Sequence, residues 1–418
     1  MIEYTAQAAS PLVSGEVKMR IGDNALTVTS LFDSIELAFA EMNALALSDY
    51  IVTVKADSGD YTLSRMGNRC LPFFDALYDA YNKAVLRSLF IKGSPAVTAK
   101  GDFTFTGSES AASPQNESSF TKYSVPVHVY ENNVTALPPD LTARRIPLCF
   151  LSGMDKGDHK LTLSLDTGES YTFAKLGYDT APFADAVEKH IRKLREESLA
   201  AIKEVDPALS ASQASQLARL MPQGAAAPIG RLAAIAPSFA AALESQIAAT
   251  RAAESYKVFK ELCDPARIWV GFRKNEAAAD DPSQALRGAA SFAGKAGWQA
   301  GDEQALSAAL MWLIAPSPDG NFAAVEFAEA DSATFIYRTG GDFDGFARQI
   351  NRVLEAIDFK RDVIRLSDED LLKPENADYR MAAKRTAALQ FVRLNFAGRV
   401  IHSSVESWKR KLTELWST

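Results

Sequence analysis

The chain has 418 residues, a formal net charge of −7 and a hydrophobic share of 47%. Its length and composition predict a globular protein of about two to four domains. The acidic balance argues against an extended nucleic-acid-binding face, which needs a surplus of Lys and Arg. The amino terminus has no basic region followed by an apolar run, so the sequence predicts no signal peptide, and no stretch is apolar enough to span a membrane. The three cysteines lie far apart, which favours a reducing cytoplasm over a disulfide framework.

Alternating apolar and polar residues predict strands in a first module over residues 1–92. The alternation has the period of strands with one buried face, and it occurs at Val17–Ile21, Leu26–Val28, Ile35–Phe39, Val52–Val54 and Tyr61–Leu63. An amphipathic helix follows, with Phe74 and Leu77 on its apolar face. Pro72 falls in the first turn of this helix, where a missing N–H costs little. We therefore expect Phe74 and Leu77 to be buried against the sheet.

The end of this module recurs further along the chain. Tyr61 and Pro72 reappear as Tyr171 and Pro182 at one offset, since 171 − 61 = 110 and 182 − 72 = 110, and Gly67 likewise matches Gly177. A constant offset over strand, turn and helix predicts a repeated structural unit.

The second module is predicted over residues 93–200. Its alternating runs are Val125–Val129, Ile146–Phe150 and Leu161–Leu165. The run at Ile146 matches the run at Ile35 at an offset of 111 (146 − 35), one residue more than the later match. Phe183 and Val187 lie on the apolar face of a long closing helix, and we expect both to be buried.

Three further segments complete the predicted organisation. Residues 201–264 are an Ala-rich helical connector, either closely packed or loosely ordered. Residues 265–366 contain strand runs and then a helix after Asp342, in the order of the first two modules, so this unit is a possible third copy. Residues 367–418 are predicted as two C-terminal helices, over about 376–396 and 404–416.

A strand meander closed by one amphipathic helix resembles the pleckstrin-homology (PH-like) superfold. The residues that carry the resemblance are Val52–Leu89, Leu161–Leu194 and Phe322–Ile357. The whole chain is similar to bacterial proteins of unassigned function with tandem PH-like modules. The resemblance implies an α+β fold of antiparallel β-barrel or meander modules, each closed by a C-terminal helix. The chain departs from the family because only about five strands per module are recognisable and the first two closing helices lack Trp. A different small α+β module is the competing interpretation.

The sequence predicts no catalytic residue, metal site or cofactor. The four histidines, His128, His159, His190 and His402, stand far apart without ligand spacing. Asp155, Asp158 and His159 share one turn, but the flanking glycines indicate a plain hairpin. Gly288 and Gly294-Lys295 approximate a phosphate-binding loop with the wrong spacing and no Ser or Thr for magnesium.

A basic pair and the last helix supply the candidate interaction surface. Its residues are Arg273, Lys274, Trp408, Lys409, Arg410, Lys411, Leu412 and Trp416. The apolar face of the helix could dock on a membrane or a partner, but packing on the body of the protein is favoured. Arg399, Lys384 and Arg385 lie nearby in sequence, and the sequence suggests that they pair with the acidic run Asp368–Asp370.

The leading functional hypothesis is a non-enzymatic cytoplasmic scaffold that binds a protein or peptide through its PH-like modules. PH-like barrels often bind peptides at an open sheet edge or in the groove beside the closing helix. The alternative is a membrane-surface adaptor that binds anionic headgroups through the third unit or the last helix, and this peripheral membrane contact is less favoured. An enzyme with its site between modules is the third and least favoured class.

Overall fold

The computed structural model describes residues 2–107, 124–250, 252–274, 309–328, 333–402 and 404–416. The chain folds into two compact units, and each unit is built from two separate stretches of sequence. Unit 1 comprises Met1–Lys189 and Val353–Phe391, and unit 2 comprises His190–Arg352 and Val392–Thr418. This two-unit division is coarser than the five consecutive segments suggested by the sequence, and those segments stay a prediction.

The first module is a seven-stranded antiparallel sheet followed by a helix. Its elements are β1 (Glu3–Ala9), β2 (Ser14–Ile21), β3 (Ala25–Thr29), β4 (Ser34–Ala38), β5 (Met42–Ser48), β6 (Ile51–Ala56), β7 (Gly59–Ser64) and α1 (Cys70–Ser88). The strand order is β4-β3-β2-β1-β7-β6-β5. Because β4 and β5 lie at opposite ends of this order, the sheet is not closed into the barrel that the resemblance implies.

The second module repeats this architecture. Its elements are β8 (Val97–Thr106), β9 (Val125–Val129), β10 (Asn133–Ala136), β11 (Arg144–Pro147), β12 (Leu151–Gly157), β13 (Lys160–Leu165), β14 (Ser170–Ala174) and α2 (Thr180–Val205). The strand order, β11-β10-β9-β8-β14-β13-β12, is that of the first module. Here too the sheet is open, between β11 and β12.

The predicted repeat is confirmed residue by residue at the end of each module. Tyr61 lies in β7 and Tyr171 in β14, and Pro72 and Pro182 are each the third residue of their helix. Gly67 and Gly177 have φ angles of +57° and +60°, a left-handed conformation that glycine adopts at little steric cost.

The earlier match at an offset of 111 is wrong. The amide of Asp57 donates to Glu41 O, and the amide of Asp166 donates to Phe150 O, so both equivalent pairs differ by 109 residues. The offset becomes 110 only after β13, because the turn before β14 is one residue longer than the turn before β7. Ile146 is therefore equivalent to Leu37, not to Ile35.

Each module has more strands than the approximately five recognisable in its sequence. In β1, the buried side chains are Tyr4, Ala6 and Ala8, and alanine gives only a weak alternating signal. All four residues of β10 are buried, so that strand has no polar alternation to detect. These strands form because they pair with other strands of the sheet, and the residue pattern within each strand does not show which partners it will have.

The closing helix of the first module buries a slightly different face from the one that the sequence predicts. Phe73, Leu77 and Tyr81 have no exposed surface, and their spacing of four residues places them on one helix face. Phe74, predicted to be buried, is half-buried at the flank and stacks on Tyr78 with ring centroids 5.9 Å apart. Leu77 is buried as predicted, and so are Phe183 and Val187 in the second module.

Unit 2 is a six-stranded antiparallel sheet packed against helices. The helices are α3 (Ala211–Leu220), α4 (Ile229–Ile235), α5 (Pro237–Ala248), α6 (Ala253–Leu262) and α7 (Phe343–Ala356), and the strands are β15 (Ala227–Pro228), β16 (Trp269–Lys274), β17 (Ala309–Pro316), β18 (Phe322–Phe327), β19 (Ala333–Arg338) and β20 (Phe396–Ile401). Leu217, Leu232 and Phe239 share one core with sheet residues Leu313 and Ile336. The described part of the Ala-rich segment is therefore closely packed.

The third sheet does not repeat the first two. Its strands are ordered β15-β16-β17-β18-β19-β20, so neighbours in the sheet are also neighbours in chain order. In both modules, by contrast, the first strand lies centrally beside the last. The order of strand, turn, strand and helix seen in the sequence is too general to distinguish these arrangements.

The C-terminal region is not all helical. After α7, the helices α8 (Asp362–Arg365), α9 (Asp368–Leu371), α10 (Ala377–Arg385) and α11 (Ala387–Leu394) precede β20, and α12 (Val405–Leu415) follows it. The helix expected over residues 376–396 is divided at Thr386, whose φ and ψ of −96° and 99° are extended. Phe396, expected at the end of that helix, instead begins β20.

We expect Phe73→Ala to lower the free energy of unfolding by about 3–5 kcal/mol, because it removes a fully buried ring. Phe74→Ala should cost clearly less, since its ring is only half-buried. Chemical denaturation of both variants tests which face of α1 is buried. An equal or larger loss for Phe74→Ala would contradict it.

Candidate interaction surfaces

The residues that the structure describes contain no cluster of three His, Cys, Asp or Glu side chains that could hold a metal ion. Asp155, Asp158 and His159 lie in and beside the β12–β13 hairpin, and the glycine-rich segment with Lys295 lies outside the described residues. Among the described helices, none has the length and apolarity required to cross a membrane.

A buried polar network in unit 2 brings together Ser255, Glu326, Thr334, His402 and Trp408. Thr334 Oγ1 donates to Glu326 Oε2 at 2.6 Å, and Ser255 Oγ donates to Glu326 Oε1 at 3.2 Å. His402 Nε2 lies 3.3 Å from Glu326 Oε1. Ser255 is buried and bonds the carboxylate, not the imidazole, so this arrangement lacks the serine-to-histidine contact of a nucleophilic relay. Its evident role is to satisfy a buried carboxylate.

The apolar face of the last helix is packed into unit 2. Trp408, Leu412 and Trp416 are buried in its core. The indole Nε1 of Trp408 donates to Thr334 Oγ1 at 2.9 Å. These three candidate residues are therefore not exposed for docking, because the sheet and helices of their own unit already cover them.

The basic candidates do not form one surface with that face. Lys409 Nζ lies 2.7 Å from Glu261 Oε2, while Arg410 and Lys411 are exposed. Arg273 is half-buried on β16, and the side chain of Lys274 lies outside the described residues. The seven candidates whose side chains the structure describes are thus divided between a buried core and separate surface positions.

A groove in the first module already holds a helix of the same chain. We define the module 1 groove by Ala40, Met42, Asn43 and Tyr81, on β5, the turn before it and α1. Arg385 of α10 has a side chain that is only 1% exposed; it donates to Tyr81 Oη and lies with its guanidinium carbon 5.5 Å from that ring's centroid. A charged group this deeply buried needs such partners.

Lys384 and Arg380 hold the same helix at its exposed side. Lys384 Nζ contacts Ala40 O at 3.1 Å, and both cations lie 2.6 Å from Asp57 Oδ2. The expected pairing of Lys384 and Arg385 with Asp368–Asp370 is therefore wrong. Within that run, Asp370 instead pairs with Lys373.

A loop of the second module covers the edge of β5. The Leu45 amide donates to Pro139 O at 2.7 Å, and Ala44 forms an isolated antiparallel bridge with Asp140. Tyr78 Oη donates to Leu137 O. Burial raises the pKa of Tyr78, so its hydroxyl remains a donor at neutral pH. Strand-edge and groove contacts of this kind were anticipated for a partner, yet here segments of the same chain make them.

The equivalent edge in the second module belongs to β12. β12 is the last strand of its sheet, and it has no second strand neighbour among the described residues. Met42 and Leu45 are fully buried beneath the covering segments, whereas their equivalents Leu151 and Met154 remain half-buried. The β12 edge therefore keeps an apolar strip that the first module conceals.

The charges beside the two edges also differ. Tyr78 of the first module is replaced by Glu188, whose Oε1 lies 2.6 Å from Lys156 Nζ on β12. The sequence contains this change, since the offsets align Tyr78 with Glu188 and Leu47 with Lys156. The consequence of this replacement depends on the loop that packs against Tyr78. The sequence does not indicate that contact.

Comparison with known proteins assigns no family. No family model and no curated protein matches the chain. Among solved structures, one described as the structure of the Spt16D Pob3N heterodimer is 10% identical over 39% of this chain and 83% of that chain, with a TM-score of 0.16. A TM-score this low supports no inference about function.

Asp57→Asn should loosen α10, because it removes the carboxylate shared by Lys384 and Arg380. We expect faster amide hydrogen exchange in residues 377–385 and a loss of about 1 kcal/mol, the scale of a partly exposed pair. Asp60→Asn, which changes an exposed carboxylate three residues after Asp57, is the matched control. Unchanged exchange in both variants would show that the pair does not hold the helix.

Acid should have the same effect as Asp57→Asn. Burial raises the pKa of Asp57, but hydrogen bonds from Lys384 and Asn43 outweigh it and hold the pKa below its ordinary value. The resulting stabilisation is present above the ordinary carboxyl pKa of about 3.9 and is lost as pH falls further. Between neutral pH and about pH 3, the wild type should lose more stability than Asp57→Asn. Parallel losses would contradict the assignment.

Trp408→Phe isolates the hydrogen bond of the last helix, because it keeps a ring while deleting the indole N–H. We expect a loss of about 1–2 kcal/mol, and Trp408→Ala should cost about 3–5 kcal/mol. Thermal unfolding measures both. If Trp408→Ala were as stable as the wild type, α12 would not be part of the core.

Proposed function

We propose that the protein is a non-enzymatic scaffold whose two repeated modules are PH-like and bind extended protein segments. The observation that carries this proposal is the occupied module 1 groove. There, the chain's own helix α10 lies against α1, and its own loop Leu137–Asp140 pairs with β5. A PH-like sheet edge beside its closing helix is a suitable site for such segments.

The site proposed for an external partner is the β12 edge of the second module. Its half-buried Leu151 and Met154 occupy the positions that the chain covers in the first module. An exposed strand edge offers backbone hydrogen bonds, and apolar side chains beside it add specificity. The three free cysteines fit a cytoplasmic location, which we include in the proposal.

The membrane-surface alternative has less support. Its two expected contacts were the third unit and the last helix. The apolar face of the last helix is not available, because Trp408, Leu412 and Trp416 are buried in unit 2. The exposed Arg410 and Lys411 leave only a small basic ridge, whereas binding to anionic lipid gains about 1 kcal/mol per basic residue.

Selection of peptides from a displayed random library against the full-length chain tests the proposal. We expect extended peptides that bind in the micromolar range and slow amide exchange in residues 151–157. Gly153→Glu should abolish their binding, because it places a charge beside the edge, while the nearest atom to the new Cβ, Ser164 Cβ, is 3.9 Å away. Asp155→Asn, on the same strand, is the matched control and should leave binding intact.

Two outcomes would count against this function. Peptides that bind equally well to the wild type and to Gly153→Glu would place the site elsewhere. Salt-sensitive sedimentation of the wild type with anionic vesicles, without peptide binding, would favour the membrane adaptor.

A further inference from the structure

Two neighbouring turns of the first module present apolar side chains to solvent. The turns connect β1 to β2 and β3 to β4, and in an antiparallel meander both lie at the same end of the sheet. Leu12 in the first turn is 55% exposed, and Leu31 and Phe32 in the second are 86% and 89% exposed. Strand spacing places the two turns about 10 Å apart. Contiguous exposed apolar groups of this kind usually mark a contact surface.

A serine holds each turn in a defined conformation. Ser10 Oγ donates to Val13 O at 2.8 Å and accepts from the Val13 amide at 3.0 Å. Ser30 Oγ accepts from the amides of Phe32 and Asp33 at 3.3 and 3.0 Å. The side chains at the tips are therefore presented by ordered turns, which lowers the entropic cost of docking them.

The corresponding loop of the second module already has a docking role. The β10–β11 loop, residues 137–143, is equivalent to the β3–β4 turn, residues 30–33, because the strand order is the same in both modules. Leu137 and Ala143 of that loop are buried in the core of the first module. Unit 1 thus contains one complete contact in which the loop of one module covers the edge of the other.

Within the described part of unit 1, one loop and one edge of this kind remain without such a contact. The turn with Leu31 and Phe32 belongs to the first module, and the β12 edge belongs to the second. We propose that the turn of one copy docks on the β12 edge of a second copy, so that the chain associates head to tail. This inference rests on the proposed function of the β12 edge as a binding site, and it identifies the partner as another copy of this chain.

The charges around the turns favour a protein partner over a membrane. Residues 10–16, 30–37 and 57–60 contain Glu16, Asp33, Glu36, Asp57 and Asp60 and no Lys or Arg. Asp57 is paired with Arg380 and Lys384, but the other carboxylates would be repelled by anionic headgroups. On the acceptor side, Lys160 is exposed on the β12–β13 hairpin, while Lys156 is paired with Glu188.

Head-to-tail contact is heterologous, so an open assembly keeps one free turn at one end and one free edge at the other, and it can grow. Sedimentation velocity of the full-length chain should therefore show a mass that rises with protein concentration beyond that of a dimer. The double variant Leu31→Ser/Phe32→Ser lacks the turn's apolar groups. Gly153→Glu places a negative charge on the edge, and that charge repels the acidic turn of the other copy. Each variant alone should remain monomeric. Tyr50→Asn, which changes another exposed side chain of the first module, is the control and should associate like the wild type.

Mixing the two blocked variants gives the decisive result. Each retains one functional half, so the mixture should form a dimer and no larger species. A wild type that stays monomeric at high concentration would overturn the proposal, as would unchanged association of Leu31→Ser/Phe32→Ser or a mixture without dimers. Vesicle binding that Leu31→Ser/Phe32→Ser abolishes would assign the turns to a membrane instead. Selected peptides that still bind β12 in a monomeric chain would refute self-association while leaving the proposed function intact.

Discussion

The need to cover the edge of β5 and the groove beside it governs the organisation of unit 1. An open strand edge leaves backbone donors and acceptors without partners, and an apolar groove beside it exposes surface that water solvates poorly. The chain meets both demands with its own segments. The loop at Pro139 pairs with Leu45, and α10 inserts Arg385 against Tyr81. The second module and the return segment 353–391 are thereby joined to the first module in one compact unit.

A buried ion pair secures the same return of the chain. Arg145 Nη2 on β11 lies 2.6 Å from Glu355 Oε1, and Arg145 Nη1 donates to Ala356 O at 3.0 Å. Two charges removed from water are tolerated only when they are paired and bonded, and losing one partner leaves an uncompensated charge. Together with Arg385, this pair makes the position of residues 353–391 specific in a way that apolar contact alone would not.

The two modules share a fold but differ beside the equivalent edges of β5 and β12. The strand order and the Gly and Pro positions are the same, because they define the turn and the start of the closing helix. Tyr78 bonds a docked loop, whereas its equivalent Glu188 pairs with Lys156. The first module therefore binds segments of its own chain, whereas β12 of the second module has no second strand neighbour among the described residues.

The sequence by itself determined the repeat, most strands with strong alternation, the closing helices and the apolar face of α12. These features follow from local periodicity and from residues such as Gly67 and Pro72, whose backbone requirements are local. Tertiary structure alone decided the Ala-rich β1, the phase that buries Phe73 in preference to Phe74, and the placement of Arg385 on Tyr81. It also decided that the chain covers β5, whereas β12 has no second strand neighbour among the described residues. Edges, grooves and buried charges depend on contacts between residues far apart in sequence, such as Leu45 with Pro139, and no local pattern encodes which partner will be present.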